Sequence, residues 1–126
     1  MHPSKQITNL APNSLYDARK FDHLPRKLNY CAVYIADMVE TPFLKIGSSS
    51  NIRSRAVSYQ TNSPFLINIP YIFCPPISVS HIDLELAVHH AMESLRVRGE
   101  WFECSVTYAL ETILAQRDDI LEASAE

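Results

Sequence analysis

Glycine is almost missing from this chain: its 126 residues include only Gly47 and Gly99. A domain this poor in glycine has confined positive φ and close backbone approach to two places, and the first is a strand-to-helix junction rich in Arg and Tyr. Long apolar runs are missing as well. None approaches the roughly 18 residues a membrane span needs, so no membrane partner is expected. The start, Met1 to Lys5, lacks the basic region and apolar stretch of a secretory signal, and a cytoplasmic location is the default expectation. The three cysteines Cys31, Cys74 and Cys104 are scattered, odd in number and without C-x-x-C spacing. That excludes a disulfide framework or zinc knuckle and leaves them as small core fillers.

What is present reads as one soluble mixed domain, 47% hydrophobic and 20% charged. The net charge of −3 is unevenly distributed. Residues 1–30 carry five Lys/Arg against two acids, and residues 31–126 carry six against twelve. An acidic body argues against nonspecific nucleic-acid affinity, whose mark is a strongly basic surface. Three segments follow: a polar, partly basic arm over 1–29 with at most a short helix near 14–21, a compact domain over 30–116, and an acidic helix end over 117–126.

The expected fold is α+β, with a small three-stranded antiparallel sheet flanked by three or more helices in the order β-β-α-β-α-(β)-α. The stretches 31–39 and 43–47 read as a hairpin around Thr41-Pro42. Ser48 to Asn51 offers caps for a helix in which Ile52, Ala56 and Tyr59 recur at helical spacing. The run 65–73, interrupted by Pro70, suggests a strand at an edge or with a bulge. Ser80 to Asp83 has the form of a capping box ahead of the stripe Leu84, Ala87, Val88, Ala91 and Leu95. A short extended piece at 101–104 precedes a third helix.

This order brings chemistry together. Arg55 and Tyr59 lie four apart on the first helix and share a face, which Gly47 lets stand over the strand of Tyr34. Glu85 and His89 repeat that spacing on the second helix, beside its apolar stripe. Taken singly each has an ordinary reading: Tyr34 as core, Arg55 as a solvated helix residue, Glu85 and His89 as a surface pair. Trp101 and Phe102 read as core throughout. Together they assemble a carboxylate, an Arg, two Tyr and a His.

With its triplets Val33-Tyr34-Ile35 and Lys45-Ile46-Gly47, eleven residues apart from Tyr34 to Lys45, the chain resembles the GIY-YIG nuclease domain over residues 31–104. Arg55, Tyr59 and Glu85 match positions of that family's site, and Arg98-Gly99-Glu100-Trp101-Phe102 looks like its compact phage and bacterial subfamily. Gly47, Gly99 and Trp101 are then structural motif residues. The chain departs from the common pattern at Ala32, Val33, Lys45 and Ser48, the last replacing a cation. The resemblance implies a DNA endonuclease using Mg²⁺, or Mn²⁺, bound by Glu85.

Hydrolysis of a phosphodiester needs an aligned water, a base and positive charge on the phosphate oxygens. Arg55 fits a phosphate through its planar fork. Tyr34 is the candidate base, which requires cations such as Lys45 and Arg55 to stabilise the phenolate. Tyr59 lines the same site, and His89 is expected to hold Glu85 or a water beside it. Arg53, Arg96, Arg98, Lys20 and Lys27, with Lys5, Arg19 and Arg26 in the arm, are candidates for holding DNA. A homodimer is a further expectation, since one such site cuts one strand at a time. The alternative is a domain of the same fold that binds nucleic acid or protein without cleaving.

Overall fold

The computed structural model describes residues 9–20 and 24–125, so Lys5 lies outside the described residues. Its strands are β1 (Ser14–Asp17), β2 (Ala32–Met38), β3 (Phe43–Ser49), β4 (Ile67–Cys74), β5 (Arg96–Arg98) and β6 (Trp101–Glu103). Its α-helices are α1 (Ile52–Thr61), α2 (His81–Ala91) and α3 (Val106–Ser124). The strands form one sheet in the order β1-β4-β2-β3-β6-β5, and every pairing is antiparallel.

The α+β class and the strand–helix order stand, while the expected three strands become six. Of the additional strands among the described residues, β6 falls in the extended piece expected at 101–104, and β5 is only three residues long, too short to generate a periodic signal. The other lies where a short helix was expected near 14–21. Ser14–Asp17 instead pairs with Tyr71–Cys74, and only Ala18–Lys20 turns, as a 3₁₀ helix. Sheet pairing outweighs the weak helical tendency of so short a segment.

β2 explains the layering. Ala32, Val33, Tyr34, Ile35 and Ala36 are all buried, which requires cover on both faces of the sheet. Ala32, Tyr34 and Ala36 pack with Ile72, Cys74 and Ile52 beneath α1 and the N-terminal segment. Val33 and Ile35 pack with Leu44, Ile46 and Phe73 beneath α2 and α3. Each fully buried Leu, Ile or Phe on these faces contributes about 1.5–3 kcal/mol, so both helical layers are fastened by several such side chains. Of the three cysteines expected as core fillers, Cys74 is buried while Cys31 and Cys104 are half-buried; burial pushes the Cys104 thiol up to about 11 and that of Cys74 upward too, leaving little thiolate.

Local rules act where the residues suggest. Asn51, Ser80 and Ser105 cap the three helices, their side-chain oxygens accepting from Ser54, from Ile82 and Asp83, and from Tyr108. The β2–β3 turn places Glu40 at φ 65, and the β5–β6 turn places Gly99 at φ 57. Pro70 sits where β4 extends past its pairing with β1, so no ladder partner lacks its N–H there. The β2–β4 register also shifts between Ile35 and Asp37, opposite this point, so β4 bulges but lies inside the sheet rather than at its edge. α3 runs unbroken through 117–124, and its Arg117 donates to the Asn13 side chain while lying over the Phe73 ring. No helix among the described residues is long and apolar enough to cross a membrane.

Candidate active site

The site forms because β3 outruns its neighbour. β6 pairs with β3 only through Phe43, Leu44 and Lys45, leaving the outer edge of β3 uncovered from Ile46 to Ser49. Side chains from both faces of the sheet meet around that free edge. Tyr34, Lys45, Gly47, Arg55 and Tyr59 reach it from the α1 side, and Ser48 and Glu85 from the α2 side. Glu100, on the β5–β6 turn, completes a cleft of about 230 Å³.

Gly47 sits in mid-strand directly opposite Tyr34. It does not turn the backbone toward a helix, as its place in the sequence suggested; its service is space. A Cβ there would stand 2.6 Å from the Tyr34 hydroxyl oxygen and 2.8 Å from Cζ. The buried Tyr34 ring therefore passes beneath β3 only because residue 47 has no side chain. The Tyr34 hydroxyl is hydrogen-bonded to that of Tyr59, whose ring packs 6.4 Å edge-on from Trp101.

Two cations and two anions line the cleft. Lys45 Nζ lies 3.2 Å from Glu100 Oε2 and 4.5 Å above the centre of the Tyr59 ring. Arg55 is exposed, and its guanidinium forms no hydrogen bond or ion pair among the described residues. Ser48 Oγ donates to Glu85 Oε2 at 3.4 Å. Burial pushes the Tyr34 phenol well above its ordinary range, the Tyr59 hydroxyl adds to this, and Arg55 pulls the other way. The phenol is thus neutral at physiological pH in the free protein.

Burial likewise pushes the Glu85 carboxyl upward; Glu100 adds to the rise, while His89 and Ser48 oppose it. The folded chain then holds a proton at pH values where the unfolded chain has lost it, so Glu85 lowers stability as pH rises through the carboxylate range. Glu85→Gln is expected to raise the melting temperature at pH 7 in EDTA. The gain should vanish below pH 4, where wild type is also neutral. Thermal unfolding followed by circular dichroism at the two pH values checks this; a gain equal at both, or a loss at pH 7, contradicts it.

Of the remaining expected site residues, several are drawn elsewhere. His89 does not line the cleft. Its ring is buried against Phe102, with Nε2 2.7 Å from the Ile46 carbonyl. A carbonyl only accepts, so Nε2 carries the proton and His89 serves the free edge of β3 where β6 no longer pairs. Arg53 is half-buried, its Nε donating to the Leu24 carbonyl at 2.9 Å, so it anchors the N-terminal segment outside the cleft lining. Arg96 is engaged by Glu93 at 2.8 Å and by the Gly99 carbonyl, and lies over Phe102. It braces the β5–β6 turn. Arg98 is exposed on β5 near Trp101, while Lys20 and Lys27 are exposed away from the cleft lining.

Two cleft residues carried no assignment from sequence. Glu100 was visible only as part of the Gly99 to Phe102 run, and nothing local indicates that a hairpin turn carries it to Lys45. Ser48 read as a missing cation, yet it is a hydrogen-bond donor to the half-buried Glu85 carboxylate.

A two-faced sheet bearing a phenol, a guanidinium and a half-buried carboxylate around one free strand edge is broadly compatible with a small α+β nuclease-like fold. The family model of the T5orf172 domain matches residues 31–117, and the chain belongs to that family. It is a phage-associated family of nuclease-like type, which relates the chain to nucleic acid. This corrects the assignment to the GIY-YIG family: the family that matches is the T5orf172 domain. The triplets misled because a Tyr opposite a Gly across a hairpin answers a packing need that is not peculiar to one family. No curated protein and no solved structure matches the chain.

Proposed function

We propose that this domain is a metal-dependent endonuclease that hydrolyses phosphodiester bonds in DNA. The observation that carries the reading is the meeting of Tyr34, Arg55 and Glu85 in one cleft. Water adds to phosphorus as its proton passes to the Tyr34 phenolate, and the bond from phosphorus to the leaving sugar oxygen breaks, that oxygen keeping the electron pair and taking a proton from solvent water. Arg55, without a partner among the described residues, grips the nonbridging oxygens through its fork. Tyr59 holds the Tyr34 hydroxyl in place. Lys45 gains a phosphate as an alternative to Glu100.

The donors around Glu85 suit a hard divalent cation. Among the described residues no three His, Cys, Asp or Glu side chains come together to hold a metal, which disfavours a closed protein cage. Mg²⁺ binds typically through one or two carboxylates plus waters and substrate oxygens, and Glu85, with Ser48 beside it and Glu100 in the same cleft, offers that set. A cation bound there supplies positive charge to the phosphate and the leaving oxygen.

The pH profile tests the base. Because its environment pushes the Tyr34 phenol upward, the phenolate fraction rises with pH throughout the usable range. Plasmid nicking by wild type is expected to accelerate from pH 7 to pH 9.5 without a plateau, and Tyr34→Phe to lose both the activity and the slope. A plateau near neutrality, or a Phe variant of equal rate, contradicts the role. A second reading, a binding subunit that does not cleave, draws on the protonated Tyr34 and the Lys45–Glu100 pair. It is distinguished by DNA affinity without cleavage at any pH.

A further inference from the structure

The cleft does not end at Tyr59. On the other side of that ring is a second depression of about 230 Å³, between Trp101 and Met38 on the sheet and Ser58, Asn62 and Ser63 at the end of α1. Trp101 and Met38 also line a third depression of about 190 Å³, shared with Phe43, Val97 and Arg98. Three hollows thus follow one another, the first two sharing Tyr59 and the last two sharing Trp101 and Met38.

Their chemistry changes along this line. The first is charged, with Lys45 and Arg55. The second combines a part-exposed indole with polar groups at its rim, where the Asn62 amide nitrogen donates to the Ser58 carbonyl at 3.0 Å and its oxygen has no partner among the described residues. The third is almost wholly apolar, with Val97 exposed and the cation of Arg98 at its margin. Charge beside aromatic and apolar hollows of ring size matches a chain of phosphates bearing flat bases. A duplex keeps its bases stacked inside and could not fill them.

We infer that the Trp101 hollows receive unpaired bases next to the phosphate in the cleft, so the substrate is nucleic acid with a single-stranded segment, such as negatively supercoiled duplex opens transiently. This rests on the nuclease reading and specifies its substrate. The base beside the cleft stacks on Trp101 and meets the Asn62 oxygen with its polar edge; the next lies against Val97 and Phe43, with Arg98 on its phosphate. Stacking is indifferent to base identity, so little sequence is read there.

Trp101 is the only tryptophan, so its fluorescence reports on the hollows directly. In EDTA, a twelve-nucleotide oligothymidylate is expected to quench it on binding. An oligomer of the same length and charge with abasic sugars should bind at least about tenfold more weakly by anisotropy and leave the fluorescence unchanged, as base stacking contributes about that much. Trp101→Ala should weaken the oligothymidylate to the abasic level. The fluorescence comparison needs no substitution, so it stands even if that variant fails to fold. Equal binding of the two oligomers with unmoved fluorescence overturns the base hollows and leaves the phosphate cleft standing. Binding of neither oligomer, nor of duplex, overturns both.

Discussion

Arg55→Ala is expected to slow metal-dependent nicking of supercoiled plasmid by about 10²–10³-fold, the usual loss when one preorganised group stabilising transition-state charge is removed. The melting temperature should barely move. Arg55 is exposed and its guanidinium makes no internal bond among the described residues, so the folded state loses almost nothing with it. The side chain also pulls the Tyr34 pKa downward, so its loss weakens the base as well as the grip on phosphate. Arg55→Lys keeps the charge but not the fork and should recover only part of the rate. Full activity in Arg55→Ala, measured on protein of unchanged melting temperature, would remove Arg55 from the chemistry.

Gly47→Ala is expected to damage both fold and activity. The backbone at 47 is not left-handed, so alanine gains the usual unfolded-state advantage of about 0.4–1 kcal/mol. Against this stands a Cβ 2.6 Å from the Tyr34 hydroxyl, in a core where overpacking costs about 1–3 kcal/mol. The clash outweighs the gain, so the net effect is destabilising. Tyr34 is buried and tied to Tyr59, so any relief comes by moving the catalytic hydroxyl itself. A displacement near 1 Å is enough for a loss on the order of 10²-fold in nicking. Gly99→Ala is the contrast: it meets open space at φ 57, so its cost is backbone strain of about 1–2 kcal/mol without a clash against Tyr34. Urea unfolding and nicking rates measured on both variants separate the two effects; a fully active Gly47→Ala chain would refute the close-approach account.

The two glycines were legible in the sequence as places of close approach and positive φ, and each serves one of these. The helices were legible because their caps and stripes are local. What the sequence did not disclose depends on where strands end. The strand β1 beside β4, and the uncovered edge of β3, follow from pairings between segments distant in sequence that leave no periodic trace. That same edge determines which predicted residues converge. Tyr34, Lys45, Arg55, Tyr59 and Glu85 meet there because spacing on adjoining elements holds them on facing sides. His89 shares the helix of Glu85 but is claimed by an unpaired carbonyl, and Arg53 and Arg96 by carbonyls and a carboxylate. Unmet backbone acceptors of this kind are invisible in a sequence.

Nicking of supercoiled plasmid with and without Mg²⁺ or Mn²⁺, wild type beside Glu85→Gln, tests the central claim most directly. The expected result is metal-dependent conversion by wild type alone, with the Gln variant silent although folded and at least as heat-stable. Undiminished nicking by Glu85→Gln, or none by wild type with either metal on duplex or single-stranded DNA, would contradict the claim that this cleft cleaves DNA.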